Sequence, residues 1–226
     1  MHRRVASIDG ESLATRARER RNRRLQEEFP DLPSMSVVDL GGTVDYWVRS
    51  GIVAGHVVVV NLGGAAGTGS TTPTWIDVVE GDACGFRTRS SFDLVFSNSV
   101  IEHVGGFVRR REFAATVHEL APRHWVQTPN RYFPIEPHWG VPGMQFLPLR
   151  ARLWIAARWA WGRRSVPPTG PERDAVGLEC AMTELVGPTE MRLLFPGSEL
   201  WRERVCGVAK SLVAVSGGAR GLRPVS

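Results

Sequence analysis

Two apolar runs, Val57-Val58-Val59-Val60 and Leu94-Val95-Phe96 within the stretch 93–98, constrain the fold of this chain more than any other feature. A strand with one wet face alternates apolar and polar residues, whereas a strand buried on both faces reads as a continuous apolar run. These runs therefore belong in the middle of a sheet covered on both sides. From residue 35 onward, short β-branched runs alternate with helical or loop segments. Candidate strands are Ser36 to Leu40, His56 to Asn61, Trp75 to Glu80, Phe92 to Asn98 and His124 to Thr128. That alternation predicts a parallel α/β sheet. Between the fourth and fifth strands, Phe107, Ala114, Val117, Leu120 and Ala121 recur at helical spacing over Gly106 to Ala121, and Pro122 stops the helix. Gly63 to Thr72 reads as a loop of low helix propensity. Near the end, a short helix from Thr189 to Phe195 precedes two strands, Ser198 to Val205 and Ala209 to Ser216, and so short a link permits only an antiparallel hairpin.

The expected architecture is a Rossmann-like three-layer α/β sandwich of five parallel strands plus a C-terminal antiparallel hairpin, with an inserted cap. A chain of 226 residues, 42% of them hydrophobic, can bury one full core. Three parts are expected: a basic N-terminal helix in 1–34, a ligand-binding domain in 35–128 and 189–217, and a cap in 129–188. The N-terminal helix should open at Ser12 and close before Pro30. It carries Arg16, Arg18, Arg20, Arg21, Arg23 and Arg24, read either as a solvated face or as a contact for nucleic acid or anionic lipid. No aromatic residue interleaves with them, which disfavours single-stranded nucleic acid. Lys210 is the only lysine among 28 basic residues, so the arginines also reflect overall composition. No apolar run is long enough to cross a bilayer and the first residues lack the apolar stretch of a signal peptide, so a cytoplasmic location is expected. Cys84, Cys180 and Cys206 include no C-x-x-C pair and read as three buried thiols.

The first strand ends in Asp39-Leu40-Gly41-Gly42-Thr43, a turn where missing side chains let backbone approach a ligand. The second ends at Asn61, 22 residues after Asp39, close to the spacing at which nucleotide-binding folds place an acid on a ribose hydroxyl. Gly81-Asp82-Ala83 follows the third strand, and Phe92 to Gly106 reads FDLVFSNSVIEHVGG. The pattern V-x-D-x-G-G resembles the first motif of S-adenosylmethionine (SAM)-dependent class I methyltransferases, particularly the methyltransferase type 11 group. The fourth-strand stretch is similar to that group's F-D-x-V-x-x-x-x-V-x-E-H-V. The resemblance spans 36–128 and returns at 189–215. It implies SAM as cofactor, with Asp39, Gly41 and Gly42 beside the methionine portion and Asn61 at the ribose. It further implies Asp82 and Ala83 at the adenine, and Asn98 and Ser99 where sulfonium and substrate meet. This chain departs from the group at Asn61, where an acid is usual, and at Val44-Asp45, where another glycine is common. A charged acceptor at position 61 should on this reading tighten SAM binding.

Methyl transfer is an in-line displacement that chiefly requires alignment, and a base only when the acceptor carries a proton of high pKa. His138 and then His103 are the candidate catalytic residues; Glu102 belongs to the same motif, while His118 and His124 read as structural. Ser99 stands where related metal-assisted O-methyltransferases have a glutamate three residues before the Glu-His pair, so no metal is expected. The stretch Thr128 to Trp139, TPNRYFPIEPHW, resembles a sequence of some bacterial type 11 members. It reads either as a rigid connector or as a substrate wall offering Tyr132, Glu136 and Trp139. Cap residues Leu149 to Arg164 mix Trp154, Trp159 and Trp161 with arginines, as a packing helix, a lid or a peripheral membrane contact would. The leading function is O-methylation of a small, lipid-like or sugar-like metabolite. The alternatives are a catalytically inactive nucleotide- or SAM-binding protein and, disfavoured by the missing G-x-G-x-x-G, a nicotinamide oxidoreductase.

Overall fold

The apolar runs form the centre of one seven-stranded sheet. In the computed structural model, which describes residues 13–63, 72–158 and 169–219, the strands are β1 (Ser36–Leu40), β2 (His56–Asn61), β3 (Ile76–Glu80), β4 (Leu94–Asn98), β5 (Arg123–Pro129), β6 (Glu199–Val205) and β7 (Val208–Ser216). Their order is β3-β2-β1-β4-β5-β7-β6. The first five are parallel, and β7 enters antiparallel between β5 and β6. The expected five parallel strands and terminal hairpin are both present. Cys206 and Gly207 form the hairpin tip with φ of +50° and +80°, the paired left-handed geometry of a two-residue turn. Cys84 and Cys180 are buried as expected, but Cys206 is exposed on this tip, which corrects the reading of three buried thiols.

Alternate residues of the apolar runs serve opposite layers. Val38, Leu40 and Val60 join one buried cluster with Phe113 and Val117 of α3 (Phe107–Leu120) and Met191 and Leu194 of α6 (Pro188–Leu194). Val37, Val57 and Val59 face the other layer, with Leu25 of α1 (Leu13–Glu28) and Trp47 of α2 (Val44–Ser50). Burial on both faces is the physical reason for the uninterrupted valines. His118 and His124 pack at a tilt against Phe195, and burial pushes the His124 imidazole down to about 4, as suits packing groups.

The N-terminal helix lies against this body. Ser12, its expected first residue, lies outside the described residues. Arg21 donates to Asn98 at 2.7 Å and pairs with the buried Glu203, while Arg24 bridges Glu28 and Glu199. Arg18, Arg20 and Arg23 remain exposed. Part of the arginine cluster therefore anchors the helix to β4 and β6, a role that spacing within the helix could not show.

Beyond β5 the chain builds a small layer of its own. The cap helix α4 (Leu149–Ala156) ends earlier than its sequence pattern suggests, and Trp159 and Trp161 lie outside the described residues. The expected cap contains a further helix that the sequence reading does not give, α5 (Pro171–Met182). Its start signals are Pro171 in the first turn with Glu172 and Asp174. Trp139, Met144, Ala156, Val176 and Cys180 pack between α4 and α5. Trp154 projects outward, with Arg158 4.9 Å from its ring centroid. Among the described residues, no helix is long and apolar enough to cross a membrane.

Candidate active site

The strand order reverses between β1 and β4, and in open α/β sheets the crevice beyond the carboxyl ends at such a point is where ligands bind. A cavity of about 460 Å³ lies there. Gly41, Asn61, Asp82, Ala83, Ser99 and His103 all border it, so residues from four strand ends and 63 positions of sequence meet at one place. Gly41 turns with φ +77°, and a Cβ there would stand 2.6 Å from both methyl groups of Val100. Only a residue without a side chain lets the wall stay where it is.

Asp39, Gly42 and Asn98 do not border the cavity. Asp39 is fully buried on the α2 side, where Trp47 Nε1 donates to its carboxylate at 2.7 Å; burial raises this carboxyl to about 7. A Cβ on Gly42 would overlap the same carboxylate. Asp39 and Gly42 thus shape the turn from beneath the cavity lining. Asn98 is turned to α1 by its bond from Arg21. The chain leaves β4 through Ser99, whose φ of +60° is uncommon for a residue other than glycine, and Ser99 Oγ donates to Gln127 at 2.9 Å.

Asn61 does two things. Its Nδ2 donates to the carbonyl of Gly42 at 2.9 Å, tying the glycine turn to β2, while its Oδ1 has no partner among the described residues. An acid at this position could not make the first bond. The expectation that Asn61→Asp tightens SAM binding is accordingly reversed: the carboxylate would face a carbonyl oxygen and leave it unpaired, at a cost of roughly 1–3 kcal/mol. Asn61→Asp should weaken SAM binding about tenfold by calorimetry, and tighter binding would show that the turn does not depend on this bond. Asp82 accepts from Cys84 N–H at 2.9 Å and from Arg109 at 2.6 Å, contacts that hold its carboxyl below the usual range. Each oxygen retains a second lone pair for an amine donor.

At the other end of the cavity two loops converge. Glu102 and His103 follow β4, and Glu136 and His138 follow β5. The His103 and His138 rings meet edge to face with centroids 4.8 Å apart. His138 Nδ1 lies 2.7 Å from Glu136 Oε1, and Trp139 N–H donates to the other carboxylate oxygen at 2.7 Å. A carboxylate can only accept, so Nδ1 is the donor and the imidazole lone pair sits on Nε2. The Thr183 hydroxyl gives its proton to the Glu179 carbonyl, which makes His103 Nδ1 the donor in its 3.3 Å contact with Thr183. Glu102 is buried, accepts from Thr128 at 2.9 Å, and is pushed up to about 7 by burial. Its other oxygen has no hydrogen-bond partner among the described residues. Glu102, His103 and His138 offer donor atoms within 4.8 Å of one another, a set that a divalent ion could share.

Comparison with solved structures identifies the architecture. A SAM-dependent methyltransferase from Mesorhizobium loti aligns with a TM-score of 0.56 at 17% identity, over 90% of this chain and 99% of that one. The N-methyltransferase NodS from Bradyrhizobium japonicum gives 0.53 at 11% identity, over 88% and 93%. The fold is that of a class I methyltransferase. LepI, solved in complex with S-adenosylhomocysteine and a substrate analogue, gives 0.51 at 10% identity, over 85% of this chain and 46% of LepI. No family model and no curated protein matches the sequence.

On this methyltransferase fold the glycine turn, Asn61 and Asp82 are legible as strand-end residues. Thr183, Met182 and Arg109, which also stand at the site, are not among the residues the sequence singles out. Arg109 could have been found from the α3 pattern as a polar residue in the first turn beside the cavity edge. Met182 and Thr183 come from the end of α5, and only recognition of that helix would have exposed them. Of the expected substrate wall, Trp139 and Glu136 are buried, whereas Tyr132 is 63% exposed and stacks with Phe146.

Proposed function

We propose that this protein is a SAM-dependent methyltransferase acting on oxygen of a small metabolite. The observation that carries the reading is the cavity at the reversal of strand order. It joins a glycine turn that a Cβ would close, an amide at the end of β2 and a half-exposed carboxylate after β3 to His103 at its far end, and the His138 ring packs edge-on behind His103. These residues fit SAM: Gly41 gives room for the methionine portion, Asn61 Oδ1 can accept from a ribose hydroxyl, and Asp82 with Ala83 stands where the adenine edge needs an acceptor and an apolar contact. Bound there, SAM supplies an electrophilic methyl group.

The chain's own contribution is alignment and proton removal. Val60, Val100 and Val104 give the cavity an apolar wall, and an apolar wall against the reacting groups favours a displacement that disperses charge. Glu136 fixes His138 as the Nδ1–H tautomer, so Nε2 can take the proton of an alcohol or phenol as its oxygen attacks. His103 packs edge-on against that ring and limits its rotation.

A ligand bound only by the folded state raises the melting temperature by mass action, about 2.7 kcal/mol at 100 times its Kd. SAM and S-adenosylhomocysteine should therefore shift the thermal transition upward while NAD and NADP leave it in place. A shift with NAD and none with SAM would overturn the proposal.

A further inference from the structure

A second cavity, of about 500 Å³, lies in the cap. It meets the first at the His103–Thr183 contact: His103 borders one cavity and Thr183 the other. Glu136, the carboxylate that orients His138, borders the cap cavity as well. A molecule seated in the cap therefore lies against the same wall that carries the histidine pair.

The charge balance of this cavity is uneven. Arg110 is neutralised by Glu184 at 2.8 Å and Glu190 at 2.6 Å. Glu136 is already engaged by His138 and by a backbone N–H. Arg131 and Arg152 also border the cavity, and neither has an acidic partner among the described residues. Arg152 is satisfied poorly: one terminal nitrogen reaches the Thr183 carbonyl at 3.5 Å, the limit of a hydrogen bond, and its Nε is buried with no acceptor among the described residues. Arg131 is exposed and Arg152 half-buried, so the uncompensated cost falls on the buried Arg152 Nε, while both guanidinium groups keep donor edges of the kind suited to a carboxylate or phosphate. Beside these two arginines the lining is mixed: Met144, Phe146 and Leu147 form an apolar stretch, next to the polar Gln145, Thr183 and Glu184.

We propose that the cap cavity holds the methyl acceptor and that this acceptor carries an oxyanion group, a carboxylate or a phosphate monoester, bound by Arg131 and Arg152. The proposal rests on the methyltransferase reading. The anion fixes one end of the acceptor, its apolar body lies along Phe146 and Leu147, and its hydroxyl is the end directed to the His103–Thr183 contact, where the two cavities meet and behind which His138 packs on His103. The two arginines thus select among hydroxyl compounds without taking part in the transfer.

The test uses the full chain saturated with S-adenosylhomocysteine and three matched series of hydroxyaryl and hydroxyalkyl compounds, differing only in a carboxylate, a phosphate monoester or a primary amide. Calorimetry should show at least one anionic series binding roughly tenfold or more tighter than the amides, and the stronger of the two anionic series names the group. Arg131→Gln with Arg152→Gln should erase this preference and leave S-adenosylhomocysteine affinity unchanged. Amides binding as tightly as the anions, no member of any series binding, or a preference that survives both substitutions would each overturn the proposal. Failure of S-adenosylhomocysteine to bind the wild-type chain is read separately, and would remove the donor reading together with this one.

Discussion

Gly41→Val is expected to abolish the thermal stabilisation given by SAM and S-adenosylhomocysteine. Two effects coincide at this position. With φ at +77°, any L residue pays for a left-handed backbone, about 1–2 kcal/mol, and a β-branched one pays more. The new Cβ would also stand 2.6 Å from both Val100 methyl groups, forcing the wall of the cavity to move. Gly51 separates the two effects, because it has φ +70° but nothing within 4 Å of the place a Cβ would take. Gly51→Ala should lower the melting temperature and keep the full response to SAM. Gly41→Ala combined with Val100→Ala removes the two closest contacts, leaves the Cβ of residue 100 at 3.1 Å and keeps the backbone strain, so it should recover part of the response. A Gly41→Val protein that still responds fully to SAM would mean that the donor does not lie against this turn.

Legibility of this fold follows from where the information about each element resides. The central strands can be read because burial on both faces writes itself as consecutive valines, and α3 because fourteen residues complete nearly four turns of a visible apolar stripe. The seven residues of α2 complete fewer than two turns, and the two fully buried ones, Val44 and Trp47, make too short a stripe to establish a period. The α5 segment carries its start signals in the open, but Gly177 and the preceding prolines obscure them. Missing α5 conceals the junction of the two cavities, since Met182 and Thr183 at its end line one each.

The site divides in the same way. Strand-end glycines and acids announce a ligand crevice because the fold always puts them there. Their partners do not announce themselves: Asn61 finds Gly42 across 19 residues, and Arg21 finds Glu203 across 182. Asp39 shows that position along a strand does not by itself give the direction of a side chain. It sits at a strand end, yet its side chain turns away from the cavity to Trp47, because alternate residues of a strand face opposite layers.

His138→Ala is expected to lower the methyl-transfer rate by roughly 100-fold or more, the usual scale for a positioned general base. The Glu136 contact at 2.7 Å is what distinguishes this histidine from a packing one such as His124, whose ring nitrogen meets a serine hydroxyl and whose burial opposes protonation. An imidazole whose Nδ1–H is held by a carboxylate gains basicity at Nε2 when the proton arrives, since the carboxylate stabilises the imidazolium. Glu136→Gln should therefore also slow transfer, by less than His138→Ala, because an amide can still orient the ring but cannot stabilise its charge. SAM affinity should be unchanged in both variants, as neither residue borders the donor cavity. His103 does border it, so His103→Ala should raise the Kd for SAM as well as slow the reaction. Turnover and calorimetric SAM binding measured on all three variants separate these roles. Equal loss of rate and of SAM affinity in His138→Ala would make His138 a structural residue, and unchanged turnover would take it out of the reaction altogether.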